Sequence, residues 1–375
     1  MTADSVYIHV PFCIHRCGYC DFTVIAGRDD LIDDYLKCLE LEIARSITSP
    51  QPVSTIFIGG GTPSYLPEPA LQRLLTVVNQ WFPLRPDGEF SMECNPDGLT
   101  PAKMKILRVH SVNRISLGVQ SFNSQHLQTL ERTHHAETVD TVFNQLRDNG
   151  FTNISLDLIF AVPDQTLADW EADLKTVIAL NPEHVSTYGL TFEKGTQFWT
   201  RRMKSQLIPA DDELEREMYS VAMNTLEDAG FRQYELSNFA QPGMECRHNK
   251  VYWQSAPYFG FGPGAASYLN GVRAMRHRSV TTWIKRIMAG ESGIAETEEL
   301  NSEDRAREAV MLGLRQVEGI DLEQFQQRFS YPLPDLAPNA FDRLIEDQLL
   351  TLDQGKLRLT KTGRFIADSI MAEFL

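Results

Sequence analysis

Residues 7–22 read Tyr7-Ile8-His9-Val10-Pro11-Phe12-Cys13-Ile14-His15-Arg16-Cys17-Gly18-Tyr19-Cys20-Asp21-Phe22, and the rest of the chain is best understood outward from them. A β-branched, apolar run ends in a loop with three cysteines at CxxxCxxC spacing. Three thiolates on a short loop can hold three irons of a cubane [4Fe–4S] cluster, which leaves the fourth iron without a protein ligand. A structural zinc site closes with four ligands, and no second Cys or His pair at zinc-finger spacing follows, although His9 and His15 keep zinc as the alternative. Cys13, Cys17 and Cys20 are the candidate metal ligands. The remaining cysteines, Cys38, Cys94 and Cys246, are scattered, which is not the form of a disulfide framework.

Beyond the loop, strand-like runs alternate with helical patterns through two-thirds of the chain, which predicts strand–helix units around a parallel sheet. Six strands are expected, at 6–10, 55–58, 89–93, 114–117, 153–158 and 184–188, with helices at 31–46, 68–81, 136–149 and 166–180. Near the strand ends stand the cysteine loop, Gly59-Gly60-Gly61-Thr62, Glu93, Gln120, Asp157 and Tyr188. Active sites of (β/α) barrels gather at the C-terminal ends of strands. Consecutive glycines let a backbone approach a ligand and offer it N–H and C=O groups. The expected fold is therefore α/β: a partial (β/α)6 barrel over residues 1–241, left partly open. A connecting region, read as loop, follows over 242–301. Residues 302–375 read as a smaller, mainly helical, winged-helix-like domain. Its helices fall at 303–314, 322–329 and 339–347, and its strands flank the turn Asp353-Gln354-Gly355.

Of the 375 residues, 42% are hydrophobic and 23% charged, a globular composition, and the net charge of −15 would repel a phosphate backbone. Nucleic acid is not an expected partner. No run of about 18 apolar residues occurs and the first residues lack the form of a secretory signal, so a cytoplasmic location is expected.

The CxxxCxxC loop directly after the first strand resembles the signature of the radical S-adenosylmethionine (SAM) superfamily. The resemblance implies that SAM chelates the open iron through its amino and carboxylate groups. It also implies an electron donor for reductive cleavage to a 5′-deoxyadenosyl radical. The succession YIHVPFC, CDF, GGGTPS, ECNPD, SLGVQSF, LERTH, DLIFAVPDQT and YGLTFEKGT is similar, over nearly the full chain, to the family of oxygen-independent coproporphyrinogen III dehydrogenase, which includes a branch of heme chaperones. By that similarity Tyr7, Gly60 and Glu93 contact the cluster-bound nucleotide. Tyr19, Gly61, Thr62, Gln120, Arg132, Asp157 and Gly189 match positions that line a second nucleotide site in the dehydrogenase.

Three features separate the two branches. The dehydrogenase has a further cysteine where this chain has Phe22, and twelve residues precede Cys13, fewer than in the dehydrogenase's N-terminal extension. His248-Asn249-Lys250-Val251-Tyr252-Trp253 matches the HNxxYW heme motif of the chaperone branch. A neutral imidazole is a good axial ligand for heme iron, and Tyr252 and Trp253 offer flat faces to a porphyrin. His248 is thus the candidate heme ligand, with the Cys246 thiolate as its competitor. The resemblance implies a chaperone that binds heme, a [4Fe–4S] cluster and SAM, and delivers heme to a recipient hemoprotein, membrane-bound ones included. Oxidative decarboxylation of porphyrinogen propionates is the alternative. One departure stands out: after Tyr258-Phe259-Gly260-Phe261-Gly262-Pro263-Gly264-Ala265 the family commonly continues His-Ser, and this chain has Ala266-Ser267.

Overall fold

Polar and apolar residues alternate along the strands of the first half of the chain, and each set occupies its own face. A computed structural model, describing residues 3–375, aligns β1 (Ser5–Val10), β2 (Val53–Gly60), β3 (Leu84–Cys94), β4 (Arg114–Gln120), β5 (Ile154–Phe160) and β6 (His184–Gly189) as parallel neighbours. Ile56, Ile58, Met92, Ile115, Leu117, Leu156 and Val185 are fully buried on the convex face. They pack beneath α1 (Ile32–Ser46), α2 (Glu68–Trp81), α3 (Pro101–Val109), α4 (Ala136–Asp148) and α5 (Leu167–Leu180). The residues between them, Phe57, Glu93, Arg114, Ser116, Gly118, Asp157 and Ser186, line the concave face, as a period of two requires. Register keeps them in rows: Glu93 stands opposite Ser116, Gly118 opposite Asp157, and Asp157 opposite Ser186.

Local signals fix the helices between the strands. Thr100 accepts from Lys103 N ahead of Pro101, the residue whose missing N–H costs nothing in a first turn. Thr166 and Asp169 form a reciprocal capping box on α5.

After α6 (Asp212–Asp228), a hairpin of β7 (Arg232–Glu235) and β8 (Asn238–Ala240) adds to β6 antiparallel. The segment expected to be loop over 242–301 is instead structured. It holds α7 (Arg247–Trp253), β9 (Phe259–Phe261), a sheet of β10 (Ala266–Leu269), β11 (Val272–Arg276) and β12 (Ile294–Glu299), and α8 (Val280–Met288). β9 pairs parallel with β1, giving a nine-stranded order β9-β1-β2-β3-β4-β5-β6-β8-β7 whose two edges do not meet. The barrel is open, as six units suggest. Short strands and the glycine-rich run 260–264 hid this segment from periodicity. What anchors it is Glu42 on α1, a buried carboxylate 3.2 Å from Arg276 Nε that also accepts from Gly262 N at 2.9 Å.

The last residues form α9 (Ser302–Gly313), α10 (Leu322–Phe329) and α11 (Pro338–Glu346) with β13 (Ile320–Asp321), β14 (Leu350–Asp353) and β15 (Lys356–Leu359), around a separate core that includes Val310, Phe325, Leu333, Phe341 and Leu357. Gln354 (φ 49°) and Gly355 (φ 76°) make the two-residue turn of the β14–β15 hairpin. Leu236 N donates to Arg315 O (3.1 Å) and Val317 N to Tyr234 O (3.0 Å), stitching this module to the barrel's edge hairpin. No described helix is long and apolar enough to cross a membrane.

Removing one partner of a buried ion pair typically costs about 3–5 kcal/mol. Glu42→Ala is therefore expected to lower unfolding free energy by about that amount in urea titrations, while removing a solvent-exposed pair such as Arg216–Glu213 should leave it nearly unchanged.

Candidate functional site

The C-terminal ends of the strands open into a cleft of about 1170 Å³ that runs from the cysteine loop to the C-terminal module. Cys13, Cys17 and Cys20 are free thiols on its rim, each partly exposed. A ring of contacts closes around them. Cys13 Sγ lies 3.4 Å from Thr62 Oγ1, and Asn95 Nδ2 donates to Thr62 Oγ1 at 3.2 Å. Arg132 Nη2 donates to Asn95 Oδ1 at 2.7 Å, and its Nη1 reaches Cys17 Sγ at 3.9 Å. The loops carrying GGGTPS and LERTH thus meet the cysteines directly, and Asn95 of ECNPD links the two loops. The segment after β6 joins them: Phe198 N donates to Gly18 O at 2.8 Å, and a Cβ on Gly18 would come within 2.5 Å of the Phe198 ring.

This donor set suits a cluster. Among the described residues no three Cys, His, Asp or Glu side chains converge on a single-ion site, as one zinc would need. The irons of a cubane are separate, and thiols spread along a loop can each take one. Burial pushes the Cys13 thiol up to about 11 and raises Cys20, so bound metal must supply the charge that holds them as thiolates. Arg132 Nε is buried beside them without a partner.

Deeper in the cleft, Glu93 Oε2 accepts from Gly60 N at 2.9 Å, and burial raises this carboxyl to about 7. Asp157 accepts from the hydroxyls of Ser116 (2.8 Å), Ser155 (3.0 Å) and Ser186 (2.7 Å), and burial raises it too. Gln120 ends β4 in a left-handed conformation (φ 68°), a strained state for a side-chain-bearing residue, and it faces the same space. Tyr19, Gly61, Arg132 and Gly189 line the cleft as well. Tyr7 does not. It opens on a neighbouring hollow of about 240 Å³, with its hydroxyl 3.0 Å from His9 Nδ1. The glycine loop also differs from expectation, because its N–H groups are not free for a ligand. Gly60 N goes to Glu93, Gly61 N to Val10 O and Thr62 N to Phe12 O, so the loop braces the cysteine segment and leaves only carbonyls to offer. Asn95, Arg114 and Ser116 were not singled out from the sequence. The alternation of polar residues within otherwise apolar strands was the signal that marks Arg114 and Ser116.

Residues 7–177 match the radical SAM superfamily and residues 300–366 the HemN C-terminal domain. The chain is 38% identical to the heme chaperone HemW of Bacillus subtilis, covering 99% of both, and 33% identical to that of Escherichia coli, covering 99% of this chain and 98% of the relative. This chain belongs to the HemW family of radical SAM proteins. Among solved structures, coproporphyrinogen III oxidase (HemN) of Escherichia coli shares its fold, with a TM-score of 0.86 at 24% identity, over 99% of this chain and 89% of that one.

One candidate site residue stands apart from the cysteines. His248, expected to ligate heme iron, is completely buried on α7, behind the cleft-lining Phe57 and Asn249. Both ring nitrogens are occupied, Nδ1 with Thr55 Oγ1 at 2.8 Å and Nε2 with the Tyr252 hydroxyl at 2.9 Å. Its ring sits 5.3 Å from Phe57, and burial lowers its pKa to about 3. Glu89 on β3 holds the start of α7 by accepting from Arg247 N (2.8 Å) and His248 N (3.1 Å). The competitor Cys246 is equally enclosed, its thiol pushed up to about 12. In this structure the HNxxYW segment plugs the lower end of the barrel, and its imidazole is not free to bind iron. By contrast Phe22 is 58% exposed at the cleft mouth.

His248→Ala is accordingly expected to cost about 2–4 kcal/mol at pH 7.5, from a cavity plus two orphaned hydroxyls, without loss of reconstituted iron. The folded imidazole stays neutral down to about pH 3, whereas the unfolded one takes a proton below about 6.5. Wild-type stability from this group is therefore lost as pH falls, and its advantage over the variant narrows by about 1.4 kcal/mol per pH unit within that window. Urea titrations at several pH values read both effects. An equally stable variant would make the motif a ligand loop instead.

Proposed function

We propose that this chain is a cytoplasmic heme chaperone, which binds heme and passes it to a hemoprotein while carrying a [4Fe–4S] cluster and SAM at the barrel mouth. The observation that carries the reading is the size of the space beside the cysteines. Pockets for one small ligand span about 300–1,000 Å³, and this cleft, at about 1170 Å³, has room for a nucleotide and a flat second molecule. When held by Cys13, Cys17 and Cys20, the cluster would present an open iron to the amino and carboxylate groups of SAM. The chain's own groups then orient the nucleotide. Glu93, near neutrality in its pKa, can accept from a ligand ammonium, and Asp157 can accept from hydroxyls while its serines hold it in place. Arg132 ties the cysteine loop to Asn95 and keeps one unpartnered N–H for an acceptor. Of the residues expected to touch the cluster-bound nucleotide, Gly60 and Glu93 stand together, and Tyr7 reaches the site only from the adjoining hollow. An exposed Phe22 in place of a cysteine, together with HemW kinship over the whole length, favours a carrier over a porphyrinogen oxidase.

Anaerobic reconstitution is expected to give about four irons per chain, and Cys13→Ala, Cys17→Ala or Cys20→Ala each to abolish them, since three ligands leave no spare. Cys38→Ala, Cys94→Ala and Cys246→Ala should keep the iron. Wild-type protein should bind hemin, yet leave coproporphyrinogen III intact in the presence of SAM and reductant. Decarboxylation over multiple turnovers would make the chain a dehydrogenase.

A further inference from the structure

At its far end from the cysteines, the cleft is walled by Arg315 and Arg364 of the C-terminal module and by Tyr219 of α6. Hydrogen bonds tie both arginines to Tyr219: Gln233 accepts from Arg364 and donates to the Tyr219 hydroxyl at 2.8 Å, and that hydroxyl donates to Leu236 O, whose own N–H donates to Arg315 O. Among the described residues neither side chain hydrogen-bonds a carboxylate, although the buried Glu235 lies near Arg315 and Glu227 near Arg364. Arg364 makes no ion pair among the described residues; its Nη1 donates to Gln233 Oε1 at 2.8 Å, and its Nε is buried with no acceptor. Arg315 lies 4.7 Å over the Trp253 ring, its Nε is likewise buried and unpartnered, and Asp368 approaches only to 3.8 Å from a side chain that is 94% exposed. Such a contact contributes little. Burial lowers the Arg364 pKa, and Tyr219 and Glu227 nearby only partly oppose that. Of the acidic groups on this wall, Glu213 is taken by Arg216 at 2.6 Å, and Asp212, Glu215 and Asp368 remain.

Beside the two arginines the wall turns apolar. Tyr188 at the end of β6 and Ile366 in the C-terminal module are 43% and 46% exposed although both line the cleft. Phe365, next to Arg364, packs edge-on against Tyr219 at 5.6 Å. An apolar surface that ends in two unsatisfied guanidiniums suits a flat apolar molecule with carboxylates on one side. Arg presents paired N–H donors that match a carboxylate bidentately.

We infer that Arg315 and Arg364 form a receptor for the propionates of a tetrapyrrole, whose ring lies against Tyr188, Phe365 and Ile366 across the seam between barrel and C-terminal module. The inference rests on the heme-carrier reading and locates its cargo. The ring is thereby held by both bodies at once.

Hemin and its dimethyl ester, which lacks free carboxylates, separate the possibilities in absorbance titrations of the full-length reconstituted protein. Wild type is expected to bind hemin at least about tenfold more tightly than the ester. R315Q and R364Q should each weaken hemin about tenfold and leave the ester unchanged, and R364K should recover part of the loss. Equal wild-type affinities for hemin and ester would overturn the receptor, and so would variants that bind hemin like wild type. The comparison between hemin and ester needs only the wild-type protein, so a variant that folds poorly does not decide it. If wild type binds neither molecule, the heme-carrier reading itself has failed.

Discussion

A carboxylate taken out of water costs several kcal/mol unless other groups answer it, and the part of the concave face that lines the cleft buries Glu93 and Asp157. The protein answers them with the Gly60 N–H and with three serine hydroxyls supplied by three neighbouring strands. Those hydroxyls reach Asp157 only if β4, β5 and β6 keep their register, because a one-residue slip would turn every polar side chain onto the convex face. The convex face allows no such slip, since its residues are fully buried under the helices. The barrel and its site are therefore one construction: the packing that fixes the strands also aims the polar rows into the cleft.

The same logic explains how much was readable beforehand. Strands such as Arg114–Gln120, with Ile115, Leu117 and Val119 interleaved by Arg114, Ser116 and Gly118, announce both a strand and a face, and their positions match expectation closely. The three cysteines announce a metal through their spacing alone. Segment 242–301 announced nothing, because its strands are short and its stability comes from a distant carboxylate on α1. The glycine loop carries a second role that its glycines do not announce. Glycine residues signal a close approach, and here what approaches is the chain's own cysteine segment. Nor can a linear motif report depth: His248-Asn249-Lys250-Val251-Tyr252-Trp253 looks like a ligand loop until Glu89 and Thr55 are seen to clasp it.

The two ends of the barrel consequently have different tasks. The lower end is closed by α7, whose His248 is hydrogen-bonded through both ring nitrogens, while the upper end keeps unpartnered donors on Arg132, Arg315 and Arg364 around open space. Groups left unsatisfied in a folded protein mark where a ligand completes the structure. On this account nucleotide and heme share the upper cleft, the first beside the cysteines and the second at the seam with the C-terminal module.

Hydrogen–deuterium exchange with and without hemin tests that division most directly. The account predicts added protection in the segments lining the cleft, around 188–193 and 363–369, with 247–253 exchanging slowly in both states. Faster exchange of 247–253 on hemin addition, with no change around 363–369, would show that α7 leaves its seat to offer His248, and would contradict the account.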